Sequence, residues 1–236
     1  MLESLRNSRI LLVVAHPDDE LLGPGGTMNR LIRDFGCDVR VIILGEGITS
    51  RAENRNPEMW DSELRQHKAN IISAQKAIGF SEVITYDFAD NRFDSVDLLD
   101  LIKVVEREKS AFNPVAIFTH HGGDVNIDHQ RTFEAVITAC RPMEHERVKH
   151  IIAFETPSGT EWRAASDPRH FIPNLFIEIS EENLSAKIRG MESYEFEKRP
   201  YPHPRSPEAL TVYAQRWGIV VGKKYAEAFM LIRTIV

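Results

Sequence analysis

Five consecutive residues, His16-Pro17-Asp18-Asp19-Glu20, place an imidazole and three carboxylates directly after the apolar run at residues 10–15. Two kinds of chemistry suit them. Asp18 or Asp19 can cap a helix that starts here, with Glu20 in its first turn complementing the helix dipole. Alternatively, an imidazole and a carboxylate three residues apart, His16 and Asp19, can face one point and hold a metal ion. A second histidine, His129, stands in "HHGGDVNIDHQ", after another apolar run. Two nitrogens and one oxygen leave an open coordination position, the ligand set of a catalytic rather than a structural zinc site. Asp18 has no room among those ligands but is held beside them. A carboxylate there can accept a proton from water whose pKa the metal lowers to about 7.

Those residues converge only if the elements around them bring them to one end of a sheet. Residues 10–15 read as a strand buried on both faces, because the run is continuous rather than alternating. A helix fits residues 20–35, although Gly23, Pro24, Gly25 and Gly26 make its first turns unusual. "CDVRVIILGEG" is a second strand ending in a glycine-flanked loop. A polar loop over residues 48–57 follows, then a long helix over "MWDSELRQHKANIISAQKAIG" with Gly79 as its C-cap. Strands are expected at 83–86, 114–119, 150–154 and 174–179, with helices at 95–109, 128–140 and 181–191. The proline-rich bend "RPYPHPRSPEAL" leads to a final helical region.

This alternation predicts an α/β fold: a Rossmann-like, mostly parallel sheet with helices on both faces. The whole chain, 1–236, is expected to be one domain, with residues from about 180 to 236 supplying a lid or an edge of the site. In such a sheet ligands bind outside the carboxyl ends of the strands. His16 to Glu20, the Gly45-Glu46-Gly47 turn and the segment from His120 to His129 all follow expected strands, so they should gather at one rim.

Charge and composition exclude some classes. A net charge of −6 gives no footprint for nucleic acid or an anionic membrane surface. The apolar run at 10–15 is too short to span a bilayer. Cys37 and Cys140 have no zinc-finger or CxxC spacing, and two thiols in 236 residues suit a reducing compartment, so a cytoplasmic location is expected. "GPGG" lacks the spacing of a dinucleotide-binding GxGxxG, and no Walker lysine follows it.

"AHPDDE" after the first strand, "GEG" after the second, "NIDH" after a later one and the terminal "HPRSPEAL…VGKKYAEAF" together resemble the LmbE-like, or PIG-L, family of zinc-dependent N-deacetylases. The resemblance runs from Arg9 to about Phe229. It implies that His16, Asp19 and His129 bind Zn2+, that Asp18 is the general base, and that Glu46 and Arg65, in "SELRQHKA", contact substrate. Some relatives carry a histidine three residues before the last zinc ligand; this chain has Asn126, which cannot supply a titrating proton. Other relatives recruit a C-terminal histidine, which makes His203 the expected catalytic partner, with His120 and His121 as rivals. Asp128 is expected to orient an imidazole or cap a helix.

The activity so implied is removal of an acetyl group from an N-acetylglucosamine-type amino sugar or conjugate, releasing acetate and an amine. The expected partner is thus a small N-acetyl sugar, and family relatives commonly form homotrimers or homohexamers. Two other readings compete. A metal-dependent phosphoesterase would want a second metal about 4 Å away, for which Asp124 and His120 are available. A catalytically silent sugar-binding relative would keep the fold, yet the presence of Asp18 argues against a decayed site.

Overall fold

The computed structural model describes residues 2–51 and 55–235. Residues 52–54 of the expected polar loop at 48–57 lie outside the described residues. Seven strands form one sheet: β1 (Arg9–Val14), β2 (Asp38–Gly45), β3 (Glu82–Phe88), β4 (Ala116–His120), β5 (His150–Phe154), β6 (Leu175–Glu178) and β7 (Ala226–Thr234), in the order β3-β2-β1-β4-β5-β7-β6. The first five are parallel, and β7 runs antiparallel to both β5 and β6. Helices α1 (Asp19–Leu22), α2 (Gly25–Phe35), α3 (Asp61–Ile78), α4 (Leu98–Phe112), α5 (Ile127–Ala139), α6 (Glu181–Glu192) and α7 (Pro207–Val221) cover it.

The continuous apolar run of β1 is explained by burial on both sides. Ile10, Leu12 and Val14 pack with Val41, Ile43 and Phe118 against Met28 and Leu31 of α2 and Ile71 and Ala74 of α3. Leu11 and Val13 face the opposite way, with Ile42 and Ile117, onto Leu101 and Val105 of α4 and Ala135 of α5. Successive strand residues point to opposite faces, so a central strand needs apolar side chains at every position. Strand order reverses between β1 and β4, and the loops leaving their carboxyl ends diverge around a crevice.

Two expectations are corrected. The helix at 20–35 is broken in two at Gly23-Pro24: a Cβ on Gly23 would lie 2.3 Å from Phe154 Cδ2 and 2.5 Å from the Glu155 carbonyl oxygen, so only a bare backbone fits. The final segment is not helical throughout, because α7 ends at the left-handed Gly222 (φ 68°) and is followed by β7. "AEAFMLIRT" is a short apolar run whose period does not separate strand from helix. Its insertion between β5 and β6 decides the matter.

That insertion also fixes the start of α2. Glu227 on β7 accepts the backbone N–H groups of Gly26 at 3.0 Å and Thr27 at 2.7 Å, satisfying donors that a helix N-terminus leaves open. Lys187 of α6 pairs with the same carboxylate at 2.7 Å and donates to the Gly23 carbonyl at 2.9 Å. Among the described residues no helix is long and apolar enough to cross a membrane.

Candidate active site

The crevice between β1 and β4 receives the polar residues that leave both strands. After Val14 the chain turns sharply, and Asp18 adopts a left-handed backbone (φ 100°, ψ −27°), a conformation that costs a residue with a side chain about 1–3 kcal/mol and clusters at functional sites. Three side-chain contacts hold the turn. Asp19 Oδ2 accepts from the His16 N–H at 2.8 Å, Glu20 Oε2 accepts from the Asp18 N–H at 3.0 Å, and Tyr194 Oη donates to Glu20 Oε1 at 2.6 Å. Burial raises the Glu20 carboxyl to about 7 against the pull of these hydrogen bonds.

The turn aims His16 and Asp19 at one point, and α5 brings His129 to it. His16 Nδ1 lies 3.5 Å and His129 Nε2 3.4 Å from Asp19 Oδ2. One ligand atom from each of the three residues lies within 4.8 Å of the others, and all three side chains are buried. Asp19 Oδ1 has no hydrogen-bond partner although it is buried. With Asp19 Oδ2 drawn to the imidazoles and Asp19 Oδ1 left without a partner among the described residues, a cation would complete the carboxylate, so these residues fit a metal ion such as zinc.

The far side of each imidazole meets another carboxylate. His16 Nε2 is 2.9 Å from Asp128 Oδ2 and 3.2 Å from Asp90 Oδ1. Asp128 is itself fixed by the N–H groups of Asn91 at 2.7 Å and Phe93 at 2.9 Å. His129 Nδ1 lies 3.2 Å from Asp124 Oδ2, and Asp124 accepts from Thr160 Oγ1 at 2.6 Å and the Asn126 N–H at 2.8 Å. Carboxylates placed this way orient a ligating ring and raise its basicity. Asp128 thus serves His16 rather than its neighbour His129.

His120 is engaged at both nitrogens. Its Nε2 accepts the Ala15 N–H at 2.9 Å and so carries no proton, while Nδ1 faces Thr156 Oγ1 at 2.9 Å. Burial, with His129 beside it, lowers its pKa to about 4. His121 Nε2 donates to the Arg169 carbonyl at 2.7 Å. His120 and Asp124, the residues expected to serve a second metal, are so engaged, whereas a second group of possible ligands, His16, Asp90 and Asp128, shares His16 with the first.

Asn126 caps α5, accepting from the Asp128 N–H at 2.8 Å. Its presence in place of a histidine therefore has a structural use here. His203 is half-buried, and its Nδ1 accepts the Arg205 N–H at 3.1 Å. The residue of the proline-rich bend that reaches the turn is Arg205, whose Nη1 lies 3.1 Å from Asp18 Oδ2 and 2.5 Å from Glu197 Oε2. Burial pushes the Asp18 carboxyl well above the usual range, and Arg205 opposes that shift.

Glu46, at the end of β2, is held by Arg55 at 2.9 and 3.1 Å and lines a cavity together with Pro17. Arg65 is exposed and pairs with Asp61 at 2.7 Å, on the outer side of α3. The side chain of that helix facing inward is His67, two residues on. Leu64, His67, Ile71, Ala74 and Ile78 recur at spacings of three and four, a stripe legible in the sequence that singles out His67 rather than Arg65.

Comparison with known proteins finds deacetylase relatives. Residues 11–140, more than half of the chain and all of the segment bearing the His16, Asp19 and His129 cluster, match the family described as "PIG-L: GlcNAc-PI de-N-acetylase". The "Probable N-acetyl-alpha-D-glucosaminyl L-malate deacetylase 2" of Bacillus cereus is 30% identical over 184 residues, covering 75% of this chain and 80% of the relative. The "Uncharacterized deacetylase YaiS" of Escherichia coli is 26% identical over 190 residues, covering 78% and 89%. The fold matches that of the zinc-inhibited form of teicoplanin deacetylase Orf2 with a TM-score of 0.74 at 16% identity, over 96% of this chain and 99% of the other. With the matched segment carrying the strand-end turn, the histidine cluster and the carboxylates behind it, the chain belongs to the PIG-L, or LmbE-like, family.

Proposed function

We propose that the protein is a zinc-dependent N-deacetylase acting on an N-acetylglucosamine-type amino sugar or conjugate, releasing acetate and a free amine. The observation that carries this reading is the convergence of His16, Asp19 and His129 on one buried point with Asp18 beside it. The Bacillus cereus relative, named for an N-acetylglucosaminyl substrate, supports the choice of sugar.

His16, Asp19 and His129 would hold the ion. When bound, zinc polarises the acyl carbonyl and lowers the pKa of water. Asp18 takes the proton of the attacking water and returns it to the departing amine. Arg205 and the strained turn keep that carboxylate pointed at the reacting atoms. In this reading the chain is one domain whose C-terminal part forms an edge of the site through Arg205 and Glu197. His203 stands beside that edge as a further donor. A cytoplasmic location accords with two buried cysteines, Cys37 and Cys140, that form no disulfide.

The test is zinc analysis of the purified protein combined with amine release from a panel of N-acetyl sugars. Wild type is expected to bind one zinc and release amine. Asp18→Asn should keep the metal and lose most turnover, whereas His16→Ala should lose both. Full activity after the metal has been stripped would overturn the reading.

A further inference from the structure

The chain leaves β2 through Gly45-Glu46-Gly47 and makes one helical turn at Thr49–Arg51, on the rim where the histidine cluster stands. Ile48 and Thr49 are buried and anchor that turn, Thr49 Oγ1 donating to Glu46. Ser50 and Arg51 are exposed, yet each donates to a buried carboxylate, Asp90 and Glu197. Fixing an exposed arginine costs side-chain entropy that a surface ion pair seldom offsets; here the partner is buried.

Ser50 faces the metal side. Its Oγ donates to Asp90 Oδ2 at 2.5 Å, and its N–H adds a longer bond to the same oxygen at 3.3 Å. The other oxygen, Asp90 Oδ1, lies 3.2 Å from His16 Nε2. Asn91 Nδ2 donates to the Ser50 hydroxyl at 3.2 Å, so that Oγ is held from both directions. A carboxylate behind a ligating imidazole sets the ring's orientation and basicity, and Ser50 sets the carboxylate.

Arg51 faces the base. Its Nη2 donates to Glu197 Oε1 and, at 3.1 Å, to the Phe196 carbonyl, gripping two successive residues. Glu197 Oε2 accepts from Arg205 Nη1 at 2.5 Å, and the same nitrogen lies 3.1 Å from Asp18 Oδ2. Two carboxylates therefore share one Arg205 nitrogen, with Glu197 the nearer. Arg51 supplies Glu197 with a second cation. Without it, the attraction of Glu197 falls on Arg205 alone and draws the guanidinium away from Asp18.

We infer that the turn at Thr49–Arg51 positions both halves of the site: Ser50 holds Asp90 behind His16, and Arg51 holds Glu197 so that Arg205 stays on Asp18. The inference rests on the deacetylase reading for the roles of His16 and Asp18, but both arms can be followed without turnover.

The experiment measures zinc affinity by chelator competition and kcat at saturating zinc. It adds the Arg205 Nε–H resonance of full-length, zinc-loaded protein with 15N-labelled arginine, a proton held by Ser158 Oγ and assigned by its loss in Arg205→Lys. Ser50→Ala should weaken zinc binding about 3- to 10-fold, less than removal of a carboxylate that touches the ring, and leave the Arg205 resonance in place. Arg51→Met should lower kcat about 10-fold and move the Arg205 resonance, with zinc affinity within about twofold of wild type. Ser50→Thr, which keeps the hydroxyl, and Arg51→Lys, which keeps the cation, should recover most of each loss. Should Arg51→Met fail to fold, Arg51→Gln reads the same arm. Variants that move neither readout, or that lower zinc affinity and kcat alike, would overturn the inference. Amine release by wild type together with either result would leave the deacetylase reading standing alone. A wild type that releases no amine, with zinc affinity falling in Ser50→Ala and the Arg205 resonance moving in Arg51→Met, would sink the activity and keep the positioning.

Discussion

Arg205, from the proline-rich bend before α7, places its guanidinium 3.1 Å from Asp18 Oδ2, the carboxylate of the strained turn after β1. Glu197 accepts from the same guanidinium at 2.5 Å, and Ser158 Oγ accepts from its Nε at 2.9 Å, so the arginine is braced on three sides. Arg205→Ala should therefore retain zinc but lose about 100-fold in kcat, because a base displaced by an ångström loses about that much. Arg205→Lys, which supplies charge without the planar fork, should recover only part. Steady-state amine release beside metal analysis checks this, and an unchanged kcat in Arg205→Ala would mean that Asp18 is held without it.

Asp128→Asn should weaken zinc binding by about 10- to 100-fold, since an amide orients the His16 ring but removes the charge behind it. Competition with a chelator of known affinity measures the change. Removing Asp124, which stands behind His129 in the same way, is expected to act in the same direction.

Lys187→Met should destabilise the fold by about 3–5 kcal/mol, the cost of leaving a buried charge without its partner. Both members of the Lys187–Glu227 pair are 5% exposed. The double variant with Glu227→Gln should recover part of the loss in urea unfolding, because the glutamine carbonyl can still accept from the start of α2.

Glu155 offers a pH signature independent of the metal cluster. Burial raises its carboxyl to about 7, against the hydrogen bond from Trp217 Nε1 and the charges of Arg216 and Lys187, with Glu161 adding to the rise. Between about 4.5 and about 7 the unfolded chain loses this proton while the fold keeps it, so stability falls as pH rises through that window and stays lowered above it. The total is about 3 kcal/mol. Glu155→Gln should flatten that part of the curve of unfolding free energy against pH, and a slope unchanged by the substitution would count against the assignment.

The sequence by itself determined the sheet's parallel half and the rim, and it singled out His16, Asp19 and His129, which converge there as a candidate metal-binding set. Doubly buried strands betray themselves by continuous apolar runs, and a histidine and an aspartate three residues apart at a strand end share one direction through local geometry alone. The inward stripe of α3 was equally legible, and it points to His67 rather than Arg65. Only the tertiary structure decided that β7 enters the sheet between β5 and β6, that Asp128 serves His16 while Asp124 serves His129, that His120 is occupied by the Ala15 N–H, and that Arg205 rather than His203 touches Asp18. Except for Asp124 and His129, these contacts join residues tens to nearly two hundred positions apart. Periodicity reports which face of one element is buried, but not which distant side chain arrives there, because that depends on how the elements pack.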